Sequence, residues 1–269
     1  FFIVGIPGLI AAFLAWRMSE PKRGAFEHAD HPEMEDVETE AEVASEVAQT
    51  HGSIGKDFRK TAGTILKIPT YVILLAALTF SFFTIGATSF WLPQYLVNSF
   101  AVSIQEAGIL SGIVLVTSGL TGTLLGGYLA DRAQRTRPEG RLIVAAIGLL
   151  VGAPLTLVAL LLHTLIPFMF VVILAVTFLN FCVGPLNAVI QDIILPDYRA
   201  TALGLSLLCA HLLGDAASPT IVGALADKSS LGFSLAVTAP TFLFLAGLAC
   251  LAGLRTVARD MQSMRSKLK

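Results

Sequence analysis

The chain has 269 residues, of which 55% are drawn from AVILMFWYC and 14% are charged, with a formal net charge of −1 and a mean hydropathy of +0.76. Soluble globular domains carry about 25% charged residues, and the charges here are clumped: no Asp, Glu, Lys or Arg occurs between Lys67 and Glu106, between Glu106 and Asp131, or between Arg141 and Asp192. A membrane-crossing helix takes about 20 predominantly apolar residues, so these gaps hold one, one and two of them; this excludes a soluble enzyme and a nucleic-acid binder and leaves a polytopic membrane protein.

In chain order, residues 1–16 are apolar but too short for a full span, and they read as the end of a truncated transmembrane helix whose start lies upstream. They lack the basic start and small-residue cleavage site of a signal peptide. Residues 17–69 are the one long polar stretch. Nine acids between Glu27 and Glu46, with hardly an aromatic among them, describe a solvated cytoplasmic linker, an acidic docking motif being the alternative. From Ile54 to Lys67, the apolar Ile54, Phe58, Ile65 and Leu66 stand among Lys56, Arg59, Lys60 and Lys67, which predicts a short amphipathic helix on the membrane surface.

A six-helix transmembrane bundle is predicted over 70–254, with apolar segments at 70–96, 104–130, 142–162, 167–190, 200–226 and 231–254. A tight turn at His163, Thr164 and Pro167 separates the third of these from the fourth. Residues 255–269 form a basic tail. Lys and Arg number seven in 17–69, four in 131–141, one in 192–199 and five in the tail, whereas the intervening connections carry only Lys228. The positive-inside rule therefore puts the linker, the 131–141 loop and the tail in the cytoplasm. Cys182, Cys209 and Cys250 all sit within apolar runs and are expected as buried small hydrophobes rather than a disulfide framework.

A short repeat is visible. One segment ends Gly126-Gly127-Tyr128-Leu129-Ala130-Asp131-Arg132 and another ends Val222-Gly223-Ala224-Leu225-Ala226-Asp227-Lys228, on opposite sides by the charge rule. Two three-span units of opposite topology would produce this, which is a transporter architecture.

Ionisable groups inside spans are functional hypotheses by default, because a charge at a helix centre costs about 2.5–3.5 kcal/mol even on the lenient insertion scale. Asp215 is such a group, and His211 four residues earlier shares its helix face. The pair either couples protonation to a transport cycle or fixes packing against a neighbouring helix. Asn180, Asn187 and Gln191 form a stripe with Gly184, read as cavity lining in preference to interhelical bonding. Thr84, Thr88, Trp91 and Tyr95 form a comparable stripe, although Trp91 and Tyr95 also suit an interfacial aromatic belt. Asp192, Asp197 and Arg199 predict an ion-pair cluster on the gate side. Gly108, Gly112, Gly119, Gly122, Gly126 and Gly127 predict close helix packing, and Pro154, Pro185, Pro219 and Pro240 place one kink in each of the last four spans. No phosphate-binding loop, metal motif or cofactor motif is present in the sequence, so neither a cofactor nor an enzyme is expected.

The run Gly127-Tyr128-Leu129-Ala130-Asp131-Arg132-Ala133-Gln134-Arg135 resembles the cytoplasmic loop signature of the major facilitator superfamily, with Gln134 replacing its second glycine. Leu195-Pro196-Asp197-Tyr198-Arg199-Ala200-Thr201-Ala202 and His211-Leu212-Leu213-Gly214-Asp215-Ala216-Ala217-Ser218-Pro219 resemble the Spinster-like lipid-transporter branch of that superfamily. The resemblance covers the whole chain, read as the end of family helix six, the central loop and helices seven to twelve. It implies an all-α fold in which this chain is the C-terminal six-helix bundle of a twelve-helix, alternating-access carrier. It also implies proton coupling, an amphipathic or lysolipid substrate taken from the lipid bilayer, and an N-terminal six-helix partner bundle that this sequence lacks. By the same resemblance Gly127, Asp131, Arg132 and Arg135 form the loop signature, with Asp131 and Arg132 stabilising one access state across the bundle interface. A bacterial inner membrane is the first expectation, with endolysosomal or plasma membranes as alternatives. A drug or organic-anion exporter, a non-transporting scaffold and an intramembrane enzyme using His211 and Asp215 are the competing readings.

Overall fold

The computed structural model describes residues 54–267, together with residues 13, 14 and 17, which are helical. The expectations for the rest of the first segment and for the acidic linker lie outside the described residues. The chain divides between Ile54 and Gly55 into two units, and the bundle lies within the second.

Every regular element among the described residues is a helix. Helix α1, Ile54–Ile65, is the predicted amphipathic segment. Ile65 at its end is buried in the bundle, while Phe58, Arg59, Lys60 and Leu66 stay exposed. Six spans follow within a few residues of the predicted limits: Pro69–Phe100, Ile104–Gln134, Gly140–Leu161, Leu165–Ile193, Pro196–Ala226 and Leu231–Gly253. The first three and the last are single helices, α2 (Pro69–Phe100), α3 (Ile104–Gln134), α4 (Gly140–Leu161) and α9 (Leu231–Gly253).

The fourth and fifth spans are broken. The fourth consists of α5 (Leu165–Asn180) and α6 (Val183–Ile193). The break falls where Pro185, lacking an N–H, cannot bond the carbonyl four residues before it. The fifth begins with a 3₁₀ turn at Pro196–Tyr198, continues as α7 (Arg199–Cys209), loosens into a π turn at Ala210–Asp215 and resumes as α8 (Ser218–Ala226), with Pro219 just past the break. Two of the four predicted prolines thus accompany real interruptions. Pro154 and Pro240 lie inside continuous helices, as does Pro93 in α2.

Local chemistry explains the connections. Helix α2 ends at Ala101, which adopts φ 53° in the left-handed region. Two residues later Ser103 and Glu106 form a reciprocal capping box that starts α3. Gly140 opens α4 against the end of α3, where a Cβ would collide with the Ala133 carbonyl. Ser230 accepts from Phe233 N at 3.2 Å and starts α9.

Helix α9 packs on α4 and α2, and α5 lies between α4 and α3. One half of the core is built on Tyr71, Leu74, Leu142, Leu149, Leu186 and Ile190, the other on Phe83, Leu92, Leu96, Phe168 and Leu235. Phe83 stacks on Phe242 with ring centroids 3.8 Å apart. Large apolar side chains such as Ile166 (82% exposed) and Phe170 (73%) point outward, because lipid is as apolar a neighbour as another leucine. Cys182 and Cys250 are buried as expected, whereas Cys209 is half-buried.

The basic tail carries a helix of its own. Val257–Lys267 is a helix, α10, that buries Val257 and Met261 against the bundle. The docking has a simple cause: beside its charges this segment carries two apolar residues four apart, enough to dock one helical face. The glycine expectation for α3 needs a correction. Gly122 and Gly126 meet the backbone of α5 and the residue that follows it, but Gly108, Gly112, Gly119 and Gly127 face open space.

Candidate functional site

His211 and Asp215 are the second and last residues of the π turn. The turn is defined by Ala216 N donating to His211 O at 2.8 Å, five residues back. Pro219 has no N–H to offer the Asp215 carbonyl, which accepts instead from Ser218 Oγ at 2.9 Å. The inserted residue leaves His211 Nδ1 3.3 Å from Asp215 Oδ2, with side chains 58% and 41% exposed. Phe82 of α2 meets the imidazole edge-on at 5.0 Å between centroids. Single-turn π segments cluster at functional sites, and this one presents the acid and base that the sequence predicted as a pair.

Two glycines seat the turn on α2. A Cβ on Gly86 would collide with Asp215 Oδ1 and lie 2.7 Å from both the Asp215 carbonyl and Ser218 Oγ. A Cβ on Gly214 would press on Thr79 O and lie 3.0 Å from Phe83 N. Sequence reasoning missed Gly86. The available signal was that it is the sole glycine of α2.

The Asn180, Asn187 and Gln191 stripe is divided by the break in the fourth span: Asn180 ends α5, and Asn187 and Gln191 belong to α6. Asn180 and Asn187 are half-buried, Gly184 and Gln191 are exposed, and nothing lies within 4 Å of a Cβ placed on Gly184. Each asparagine Nδ2 donates to the carbonyl four residues back, Val176 O and Val183 O, both at 2.8 Å. That leaves each amide oxygen facing away from its own helix backbone.

The α2 stripe is placed differently. Thr84 and Tyr95 are buried inside the bundle, donating to Ala239 O at 3.2 Å and Leu160 O at 3.3 Å. Thr88 is half-buried and lines a cavity of about 30 Å³ with both of them, walled by Leu92, Phe168 and Leu235. Trp91 Nε1 donates to Pro219 O at 3.2 Å, tying α2 to the start of α8. The stripe therefore joins spans to one another, and the volume it encloses holds about one water molecule.

At the far end of the bundle Arg141 bridges two carboxylates. Its Nε and Nη2 reach Asp131 Oδ1 at 3.1 and 2.9 Å, and its Nη1 reaches Asp192 Oδ2 at 2.6 Å. The expected Asp192–Arg199 cluster is thereby corrected. Asp192 takes Arg141, while Arg199 Nε donates to Ile194 O at 3.3 Å, because the 3₁₀ turn at Pro196–Tyr198 folds Arg199 back over the preceding residues. Asp197, Arg132 and Arg135 are exposed and make no ion pair among the described residues. Gln134, in place of the signature glycine, accepts from Arg141 N at 3.2 Å and holds the same arginine in place. Arg141 was absent from the sequence-based site; its only signal was its place as the last charge of the loop, at the start of the next apolar segment.

Residues 1–219 match the model of the Major Facilitator Superfamily. The chain belongs to the major facilitator superfamily. Protein spinster homolog 1 of Xenopus tropicalis is 29% identical over 255 residues, covering 88% of this chain and 43% of that protein. Protein spinster of Drosophila melanogaster is 26% identical, covering 84% and 35%. A probable sphingolipid transporter, spinster homolog 3 of Arabidopsis thaliana, is 26% identical, covering 70% and 36%. The chain thus spans less than half the length of these curated relatives. A crystal structure of a bacterial homolog to the human lysosomal transporter Spinster, inward-facing and unoccupied, shares the fold with a TM-score of 0.56 at 17% identity, over 77% of this chain and 50% of that one. Within the superfamily the chain is Spinster-like, as the Arg199–Ala202 and His211–Pro219 runs imply, and it is a multi-pass membrane protein of six described spans.

Proposed function

We propose that this bundle is one half of a secondary carrier that moves an amphipathic, lipid-like substrate by alternating access, coupled to protons through His211 and Asp215. The observation that carries this reading is the His211–Asp215 pair at 3.3 Å on a π turn, partly exposed inside a span. An acid–base pair held this way exchanges a proton without leaving a bare charge in lipid. The half-buried Asn180 and Asn187 and the exposed Gln191 would line the path, facing a second bundle of the complete protein. The substrate class is supported by the relative described as a probable sphingolipid transporter. The basic end, holding Arg132, Arg135 and α10, would face the cytoplasm, and the first membrane to examine is a bacterial inner membrane. In the complete protein reconstituted in liposomes, a proton gradient should drive movement of a sphingoid or lysophospholipid probe. Asp215→Asn should abolish the gradient dependence while the protein remains folded. Equal lipid movement with and without a gradient would overturn the coupling.

A further inference from the structure

Helix α2 begins without a cap of its own. Ile68 makes no side-chain cap bond, Pro69 at the first position has no N–H, and the Thr70 N–H is one of the donors that a helix start leaves unmatched. A residue 190 positions away supplies the match. Asp260 of α10, only 9% exposed, accepts from Thr70 N at 3.1 Å and from Thr70 Oγ1 at 2.7 Å through the same Oδ2. Thr256, just before α10, adds an Oγ1···Oγ1 contact to Thr70 at 2.6 Å. The carboxylate sits at the positive end of α2, where a helix start stabilises negative charge.

The next residue carries the constraint into the fifth span. Tyr71, fully buried, donates from its hydroxyl to Ala202 O at 2.8 Å and accepts from Ser206 Oγ at 3.1 Å. Both partners belong to α7, which runs directly into the π turn. Further along α2, Thr79, Phe83 and Gly86 form the seat of Gly214 and Asp215; Gly86 lies about 24 Å from Thr70 at 1.5 Å per residue. Helix α2 therefore holds the fifth span before the π turn, at it and, through Trp91, just after it, and α10 holds the start of α2.

We propose that Asp260 is a positioning residue for the His211–Asp215 turn: by capping α2 from the C-terminal helix, it fixes the first turn of α2 and, through Tyr71, the register of α7. Its bearing on transport rests on the proton-coupling reading of that turn. The tail helix is then part of the working bundle.

The test uses the complete protein in nanodiscs with two readouts that need no lipid movement. One is hydrogen exchange at the Thr70 amide. The other is the labelling rate of Cys209, the half-buried thiol next to the π turn, with Cys182 and Cys250 fully buried as internal controls. Asp260→Ala should speed Thr70 exchange about fivefold, the factor for a cap of ordinary strength, and should speed Cys209 labelling severalfold. Asp260→Asn, which keeps an acceptor oxygen, should recover most of both. Met261→Ala removes buried contact of α10 without touching the cap and should leave both unchanged. If Asp260→Ala is poorly folded, Thr70→Val, which deletes one of the two bonds, carries the same test. Unchanged exchange overturns the cap, and faster exchange with unchanged Cys209 labelling overturns the positioning role. A parent protein that gives both expected responses yet moves no lipid refutes the proposed function alone.

Discussion

Gly86 and Asp215 touch: the sole glycine of α2 lies so close to the π turn that a Cβ there would collide with Asp215 Oδ1. The Asp215 carbonyl and Ser218 Oγ both lie 2.7 Å from that Cβ position; the backbone oxygen moves only with the turn, and Ser218 Oγ moves only by giving up its bond to Asp215 O. Gly86→Ala should therefore destabilise the bundle by about 1–3 kcal/mol, the usual cost of overpacking, and lower transport per folded molecule. Gly112→Ala and Gly119→Ala, at open positions of α3, should be neutral or slightly stabilising, because alanine is the better helix former by about 1 kcal/mol. Thermal unfolding of the three variants, read side by side, checks the order. An unchanged midpoint for Gly86→Ala would mean that α2 and the turn stand further apart.

The Arg141 bridge predicts an asymmetric response. Asp192 is 34% exposed and Asp131 63% exposed. Hydrogen bonds to charged groups contribute about 1.5–3 kcal/mol when partly buried, whereas exposed ion pairs contribute about 0–1 kcal/mol. Asp192→Asn should lower the unfolding midpoint more than Asp131→Asn, and Arg141→Ala should lower it most, since it leaves two carboxylates without their shared partner. A reversed order of the two aspartate variants would place the stabilising contact at Asp131.

For His211 and Asp215 the readout is transport normalised to folded protein between about pH 5 and 8, the range in which histidine ordinarily changes charge. Coupling predicts that Asp215→Asn and His211→Gln each flatten the pH profile while expression and melting temperature change little. Packing alone predicts the opposite: lower stability, with the normalised rate and its pH dependence intact.

The topology is checked by labelling. Thr164 and Glu139 lie in loops at opposite ends of α4. With Cys209 replaced by serine, Thr164→Cys should react with an impermeant maleimide from outside intact cells, and Glu139→Cys only after the membrane is opened. External labelling of Glu139→Cys would invert the bundle.

Much of this protein is legible in the sequence because lipid is an exacting solvent. It demands uninterrupted apolar runs of fixed length and sorts Lys and Arg to one side, so all six spans follow from composition alone. The His211–Asp215 pair is equally local, since a spacing of four brings two side chains together on any helix. Tertiary structure decided the rest. Arg141 meets a carboxylate 51 residues away and Thr70 meets one 190 away, so no local pattern announces either pairing. The rotation of each span was also hidden. In water the polar face of a helix reports which side is outside, but in lipid both sides are apolar. Hence the packing of Gly122 and Gly126, the openness of Gly112 and Gly119, and the inward turn of Thr84 and Tyr95 appear only when the neighbouring helices stand in place.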